Sequence, residues 1–277
     1  MEKNILTIYA KVSINQNLFS RPINELVNAM VEALIQPKEK YMQKIKGKEY
    51  IWALASGKEY NFPEGKVIFG RIIKTSPEVI PLWDFESEQE IDNLTPNYLN
   101  GLCHYLFDPK EELIVFRCNP NIPVKQMMEA FSKLCEINSD ELGSIKVIPF
   151  LRDKDLVTAI KDMHILTRVK FSIIPANPGI SPEFEAIEKA LGKTGTKKTI
   201  LEFNGSDLTY DNTILEEATN KVIAGQGEAT YIGRDRKNQE KVISSRNYSI
   251  KTKKKVAFSE QGILSGLYSV LLSRTNK

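Results

Sequence analysis

GQGEATYIGRDRKNQEKVISSRNYSIKTKKKVAF, residues 225–258, reads as two or three strands joined by polar turns and is the most basic window in the chain. Between Gly233 and Lys255 stand Arg234, Arg236, Lys237, Lys241, Arg246, Lys251, Lys253, Lys254 and Lys255, against only Asp235 and Glu240, so this window carries about +7 in a chain of formal net charge +3. The remainder is therefore close to neutral or acidic, and the positive charge is placed rather than spread. Cations placed along a ribbon suit a phosphate backbone. The competing reading is a solvated hairpin whose edge lysines prevent strand-to-strand aggregation. Regular alternation would put Lys251, Lys253 and Lys255 on one face, and Arg234 with Arg236 on one face. Tyr231 and Tyr248 would stack on bases only if exposed, and packing against the sheet is the expected role of each.

Outward from this stretch, 277 residues accommodate two small domains, and 42% hydrophobic with 26% charged residues is ordinary for a folded soluble chain. Three cysteines, Cys103, Cys118 and Cys135, show no CxxC spacing, which points to reduced thiols in a cytoplasmic protein rather than a disulfide framework or a zinc site. No apolar run is long enough for a membrane span, and no secretory signal is expected from MEKNILTIYAKV.

The first half predicts strands at 5–12, 48–56, 67–74, 102–107, 112–117 and 144–149. Helices are expected from Ser20 or Asn24 to Ile35 and over 124–134, where Met127, Met128, Phe131 and Leu134 recur at helical spacing. A short helical piece is expected at 38–44, a turn-rich link at 57–65, and a long acidic surface loop at 77–96, which holds Asp84, Glu86, Glu88, Glu90 and Asp92. The second half predicts a helix at 155–163, a strand at 165–174, a rigid turn at 175–179 and a helix opened by Ser181 and Pro182. A basic loop at 193–198, a strand at 199–203, a helix at 212–223, the basic ribbon and a last helix capped by Ser259 complete it. The fold class is α+β: two mixed domains, 1–150 and 151–277, each a mostly antiparallel sheet with packed helices, the second carrying the basic ribbon.

Catalytic signatures are weak. Gly192-Lys193-Thr194 follows a helix and precedes a strand, the reverse of a phosphate loop. Gly225, Gly227 and Gly233 lie among strands, so a bulge or a close backbone approach explains them better than a dinucleotide site. His104 and Cys103 should point to opposite faces of their strand, and His164 sits beside Asp162; both histidines read as structural. Asp207, Asp211, Glu216 and Glu217 would have to converge to hold Mg²⁺ for a nuclease, and acids at a helix start are commonplace. No cofactor and no metal site are expected.

Arg168 and Lys170 fall on one face of the strand at 165–174, with Val169, Phe171 and Ile173 on the other. The candidate phosphate contacts are therefore Arg168, Lys170, Arg234, Arg236, Lys237, Arg246, Lys251, Lys253, Lys254 and Lys255. The passage 147–176, with Pro149, Leu151 and Arg152, then Met163 and His164, then Thr167, Arg168 and Val169, resembles the junction between the halves of RexA-type phage-exclusion proteins and related phage-defence proteins. Chain length and the N-terminal strand leading through a polar segment to a helix add to the resemblance. It implies a two-domain α+β protein that binds double-stranded DNA, commonly as a homodimer, and acts with a second defence protein; only Arg168 and its neighbours carry over as site residues. The alternatives are a metal-dependent nuclease effector, and a protein-interaction subunit using the acidic segment 84–92.

Overall fold

Two antiparallel sheets divide the chain unequally. The structure is a computed structural model and describes residues 2–14, 22–84, 86, 89–173 and 199–275. The expected turn at 175–179, the Ser181 helix, the basic loop at 193–198 and Ser20 lie outside the described residues.

The strands are β1 (Glu2–Ile14), β2 (Tyr41–Ile45), β3 (Lys48–Phe62), β4 (Gly65–Asp84), β5 (Gln89–Asp108), β6 (Leu113–Arg117), β7 (Ile145–Pro149), β8 (Ile165–Ile173), β9 (Thr199–Asn204), β10 (Gly227–Arg234), β11 (Glu240–Ser244) and β12 (Lys251–Ala257). The helices are α1 (Ile23–Ile35), α2 (Val124–Ile137), α3 (Asp153–Lys161), α4 (Ile214–Ile223) and α5 (Glu260–Thr275). The large sheet runs β12-β1-β6-β5-β4-β3-β2, with β7 also paired to β1; the small one runs β11-β10-β8-β9. The protein is α+β.

The large sheet is covered on both faces, which is why its central strands read as continuous apolar runs. In β6 the alternation is resolved: Ile114 and Phe116 join the core beneath α1 and α2, while Leu113 and Val115 join the core beneath α5. Cys103 belongs to the first of these cores, and His104 stacks on Phe69 of the second, so the two do point to opposite faces. One face of the small sheet carries a core: Val169, Phe171, Ala229 and Tyr231 pack with Leu156 and Ile160 of α3 and with Leu215, Ala218 and Val222 of α4.

The chain passes from the large sheet to the small one after Phe150 and returns at Ile250. These two residues are neighbours, with the Ile250 amide donating to the Phe150 carbonyl at 2.8 Å and Leu151 bridged to Ser249. The segment 250–275, expected in the second domain, therefore belongs to the large sheet: β12 pairs with β1, and α5 packs on the face that carries Ile5, Tyr9 and Val115. The reason is apolar. Without α5 that face would lie open to water.

Three local expectations are corrected. Residues 41–45 are strand rather than helix, because Lys46 (φ 48°) and Gly47 (φ 84°) form a two-residue turn with positive φ at both positions that folds β2 onto β3. The link at 57–65 is mostly strand, since β3 continues through a bulge between Ala55 and Lys58 as far as Phe62. The acidic segment at 77–96 is not a loop; it forms the distal arms of β4 and β5, paired from Glu78↔Thr95 to Asp84↔Gln89. Among the described residues no other strand flanks this ribbon, so Pro77, Pro81 and Pro96 sacrifice no ladder bond to a third strand. Both its faces meet solvent, which removes the hydrophobic alternation by which strands are read.

Candidate nucleic-acid interface

The ten cations singled out from sequence do not form one surface. The structure separates them into a small-sheet group and an edge-strand group.

In the small sheet, Arg168 and Lys170 are exposed on the face opposite the core, as expected. Their cross-strand neighbours on β9 are Asn204 and Glu202, and on β10 Ile232 and Thr230. Arg168 forms an ion pair with Glu202 at 2.7 Å. Arg246, in a short 3-10 turn (Ser245–Tyr248), forks onto both carboxylate oxygens of Glu228. Arg234 lies opposite Glu240 and donates to Asn238 Oδ1 at 3.0 Å. Arg236 and Lys237 lie beyond the end of β10, in a tip held by Asp235 Oδ1, which accepts from the amides of Lys237 and Gln239 at 2.8 and 2.9 Å. Arg236 thus shares no strand face with Arg234. On this side of the small sheet the four cations Arg168, Lys170, Arg234 and Arg246 stand against the three acids Glu202, Glu228 and Glu240, so it carries little net charge.

Tyr231 is fully buried, its hydroxyl 2.8 Å from Thr219 Oγ1, and no base can reach it. Gly233 sits at a register shift between β10 and β8, where a Cβ would lie 2.2 Å from the Ile165 carbonyl oxygen; close backbone approach explains this glycine.

The edge strand is different. β12 lies at the rim of the large sheet, and its first five residues are exposed. Lys251, Lys253 and Lys255 stand opposite Ile8, Leu6 and Asn4, which places them on the α1/α2 side, whereas Lys254 stands opposite Ile5 on the α5 side. The regular spacing of the odd lysines is as expected; the strand as a whole projects cations from both faces of a thin rim. Among the described residues, only Lys255 of the four has a carboxylate partner, Glu2 at 2.8 Å.

A second basic group adjoins this rim and is not among the residues picked from sequence. Arg117 ends β6 within the row that includes Leu113 and Val115, and Arg71 of β4 stands in the row of Val67 and Phe69. Each arginine occupies a position where alternation calls for an apolar side chain, and that was the available signal. His104 lies between them: it pairs across strands with Arg71, and Arg117 Nη1 is 3.3 Å from its Nδ1. Because a guanidinium only donates, Nδ1 accepts and the neutral ring carries its proton on Nε2. Burial, then the charges of Arg117 and Arg71, lower the His104 pKa to about 4. Phe258 completes the corner, 48% exposed, with Lys3 Nζ 4.2 Å and the Arg117 guanidinium carbon 5.1 Å from its ring centre.

Two of the acids weighed as metal ligands, Asp211 and Glu216, have other partners. Asp211 holds Lys161 at 2.6 Å, and Glu216 accepts from the Asn212 amide at 2.7 Å at the start of α4. Among the described residues no group of three or more His, Cys, Asp or Glu is gathered as a metal ion would need. No described helix is long and apolar enough to cross a membrane.

These features define a two-sheet α+β protein with a lysine-bearing edge strand, whose smaller sheet is inserted between the strands of the larger. Residues 10–271 match the family described as DUF4747, a domain of unknown function, and the chain belongs to that family. No curated protein matches it.

Proposed function

We propose that the protein binds nucleic acid through backbone phosphates, with β12 as the principal contact. The observation that carries this reading is the exposed row Lys251, Lys253, Lys254 and Lys255, in which only Lys255 has a carboxylate partner among the described residues. Lysines on a strand edge meet phosphates as point charges, supplying affinity without reading bases. Lys3 and Arg117 lie on the α5 side of the sheet with Lys254 and add to the field there. In the small sheet Arg168 and Arg246 are held by Glu202 and Glu228, and the cations there play no principal part. Double-stranded DNA as the polyanion, a homodimeric state and a role in phage exclusion with a second protein rest on the resemblance to RexA-type proteins alone.

The test is duplex-DNA binding measured by fluorescence anisotropy over a range of salt concentrations. Replacing Lys253, Lys254 and Lys255 together by alanine is expected to weaken binding on all sequences alike and to lower the slope of log K against log salt by about 2–3, at roughly 0.9 per phosphate contact. Replacing Arg168 and Arg246 by alanine is expected to leave that slope unchanged. A triple variant that keeps both affinity and slope overturns the reading.

A further inference from the structure

The corner formed by Arg71, His104, Arg117, Lys3 and Phe258 has an electrostatic feature that packing does not explain. Two cations are held near the start of α5, where Phe258, two residues before Glu260, the first residue of the helix, contacts Lys3 and Arg117, and a third, Arg71, adjoins His104 across the strand pair. Among the described residues, none of the three has a carboxylate within ion-pair distance. The acids of the neighbouring segments are directed elsewhere, Glu2 to Lys255 and Glu260 to Lys58 at 3.8 Å. The beginning of a 16-residue helix is itself positive, so cations around it repel both one another and the helix end. Arg117 is half-buried and its pKa is lowered, chiefly by desolvation.

We propose that this corner is a binding site for a phosphomonoester dianion, held by the forks of Arg117 and Arg71 with Lys3 beside them and neutral His104 as a further donor. Two guanidiniums suit the several oxygens of a terminal phosphate, and the summed charge of Arg71, Arg117 and Lys3 suits a dianion better than the single charge of an internal diester. The site is separate from the odd lysines of β12, which stand on the opposite face of the sheet. It does not depend on the nucleic-acid reading. The phosphate could be the end of a nucleic-acid strand or part of a small phosphorylated molecule; both present the same group.

The protein has two histidines, so the His104 ring can be followed by NMR against His164 as an internal control. Titration of the full chain with inorganic phosphate, against chloride at matched ionic strength, is expected to shift the His104 ring signals saturably and to raise the melting temperature, leaving His164 unmoved. Arg117→Gln is expected to weaken phosphate binding on the order of tenfold or more, and Arg71→Gln provides the same reading if the first variant folds poorly. A 5′-phosphorylated oligonucleotide that displaces phosphate where its 5′-hydroxyl counterpart does not makes a strand end the source; displacement by a mononucleotide alone makes it a small phosphoester. Absence of a phosphate-specific change at His104 in the unaltered protein overturns the proposal, as does an equal response in both arginine variants. Failure here with salt-dependent DNA binding intact leaves the β12 reading standing; a phosphate response in a protein that binds no duplex removes that reading and keeps this one.

Discussion

His104 shows how a single side chain can couple stability to pH. It is 8% exposed, and its pKa falls from 6.5 to about 4 through burial and the repulsion of Arg117 and Arg71. The unfolded chain protonates this imidazole near 6.5, while the folded one resists until about 4. Unfolding therefore takes up a proton in that window, and the stability contributed by the neutral ring is full above pH 6.5 and lost as pH falls towards 4. At about 1.36 kcal/mol per unit the loss is at most about 3.5 kcal/mol. His104→Gln is expected to flatten urea-measured stability across this window in phosphate-free buffer, and a variant with the slope of the unaltered protein would refute the assignment. At this scale much was legible in the sequence: the split of Cys103 and His104 follows from alternation alone, and so does the exposure of Arg168 beside buried Val169. What was hidden was pairing. Glu202 lies far along the chain from Arg168, and Glu228 lies on a different element from Arg246 and outside residues 233–255, so the charge of that stretch could not reveal that these arginines are paired.

Elements were legible wherever a local signal forced them. Ser259 caps α5 as expected, its Oγ accepting from the Gly262 amide at 3.1 Å. α4 opens on Thr213, whose Oγ1 accepts from the Leu215 amide at 3.2 Å, and Glu216 returns to the Asn212 amide. Thr213→Ala is expected to cost about 1 kcal/mol in chemical denaturation, because α4 covers the core face of β8 and β10. A change well below that would mean that the bonds of Thr213 Oγ1, to the Leu215 amide and to the Thr209 and Tyr210 carbonyls, do not hold the helix start. The elements misread from sequence share one physical cause. β2 and the β4–β5 arms are exposed on a face or on both, so the pattern of buried residues that marks a strand is weak in the first and missing in the second. Their pairing comes from the Lys46-Gly47 turn and from the continuing register of the hairpin. That hairpin also leaves Val79 and Leu94 paired and more than half exposed, at 55% and 64%.

For the whole molecule, the order of contacts along the chain matters more than a boundary near residue 150. The core of the small sheet is built from residues between Leu151 and Tyr248, and the large sheet takes residues from both sides of that stretch. The small-sheet unit is thus an insertion whose two ends meet, the Arg152 amide donating to the Tyr248 carbonyl at 2.8 Å and the Ile250 amide to the Phe150 carbonyl at the same distance. No sequence signal marked this return, because β12 and α5 look like any strand and helix, and the apolar face that they cover lies more than a hundred residues earlier. A fragment of residues 1–150 would expose Ile5, Tyr9, Phe69, Leu106 and Val115, all buried in the intact chain beneath α5, and at about 25 cal/mol per Å² of apolar surface such an opening is severe for a domain of marginal stability. That fragment is expected to aggregate. Joining Leu151 to Ser249 through an Asn-Gly turn, which closes the antiparallel pair and omits the insertion, is expected to give a soluble protein with a cooperative melt and dispersed amide signals. The excised stretch 151–249 should fold by itself on its own core. If 1–150 folds as well as the joined chain does, α5 and β12 are ornaments on the large sheet rather than part of its core, and the phosphate corner built on their junction loses its support.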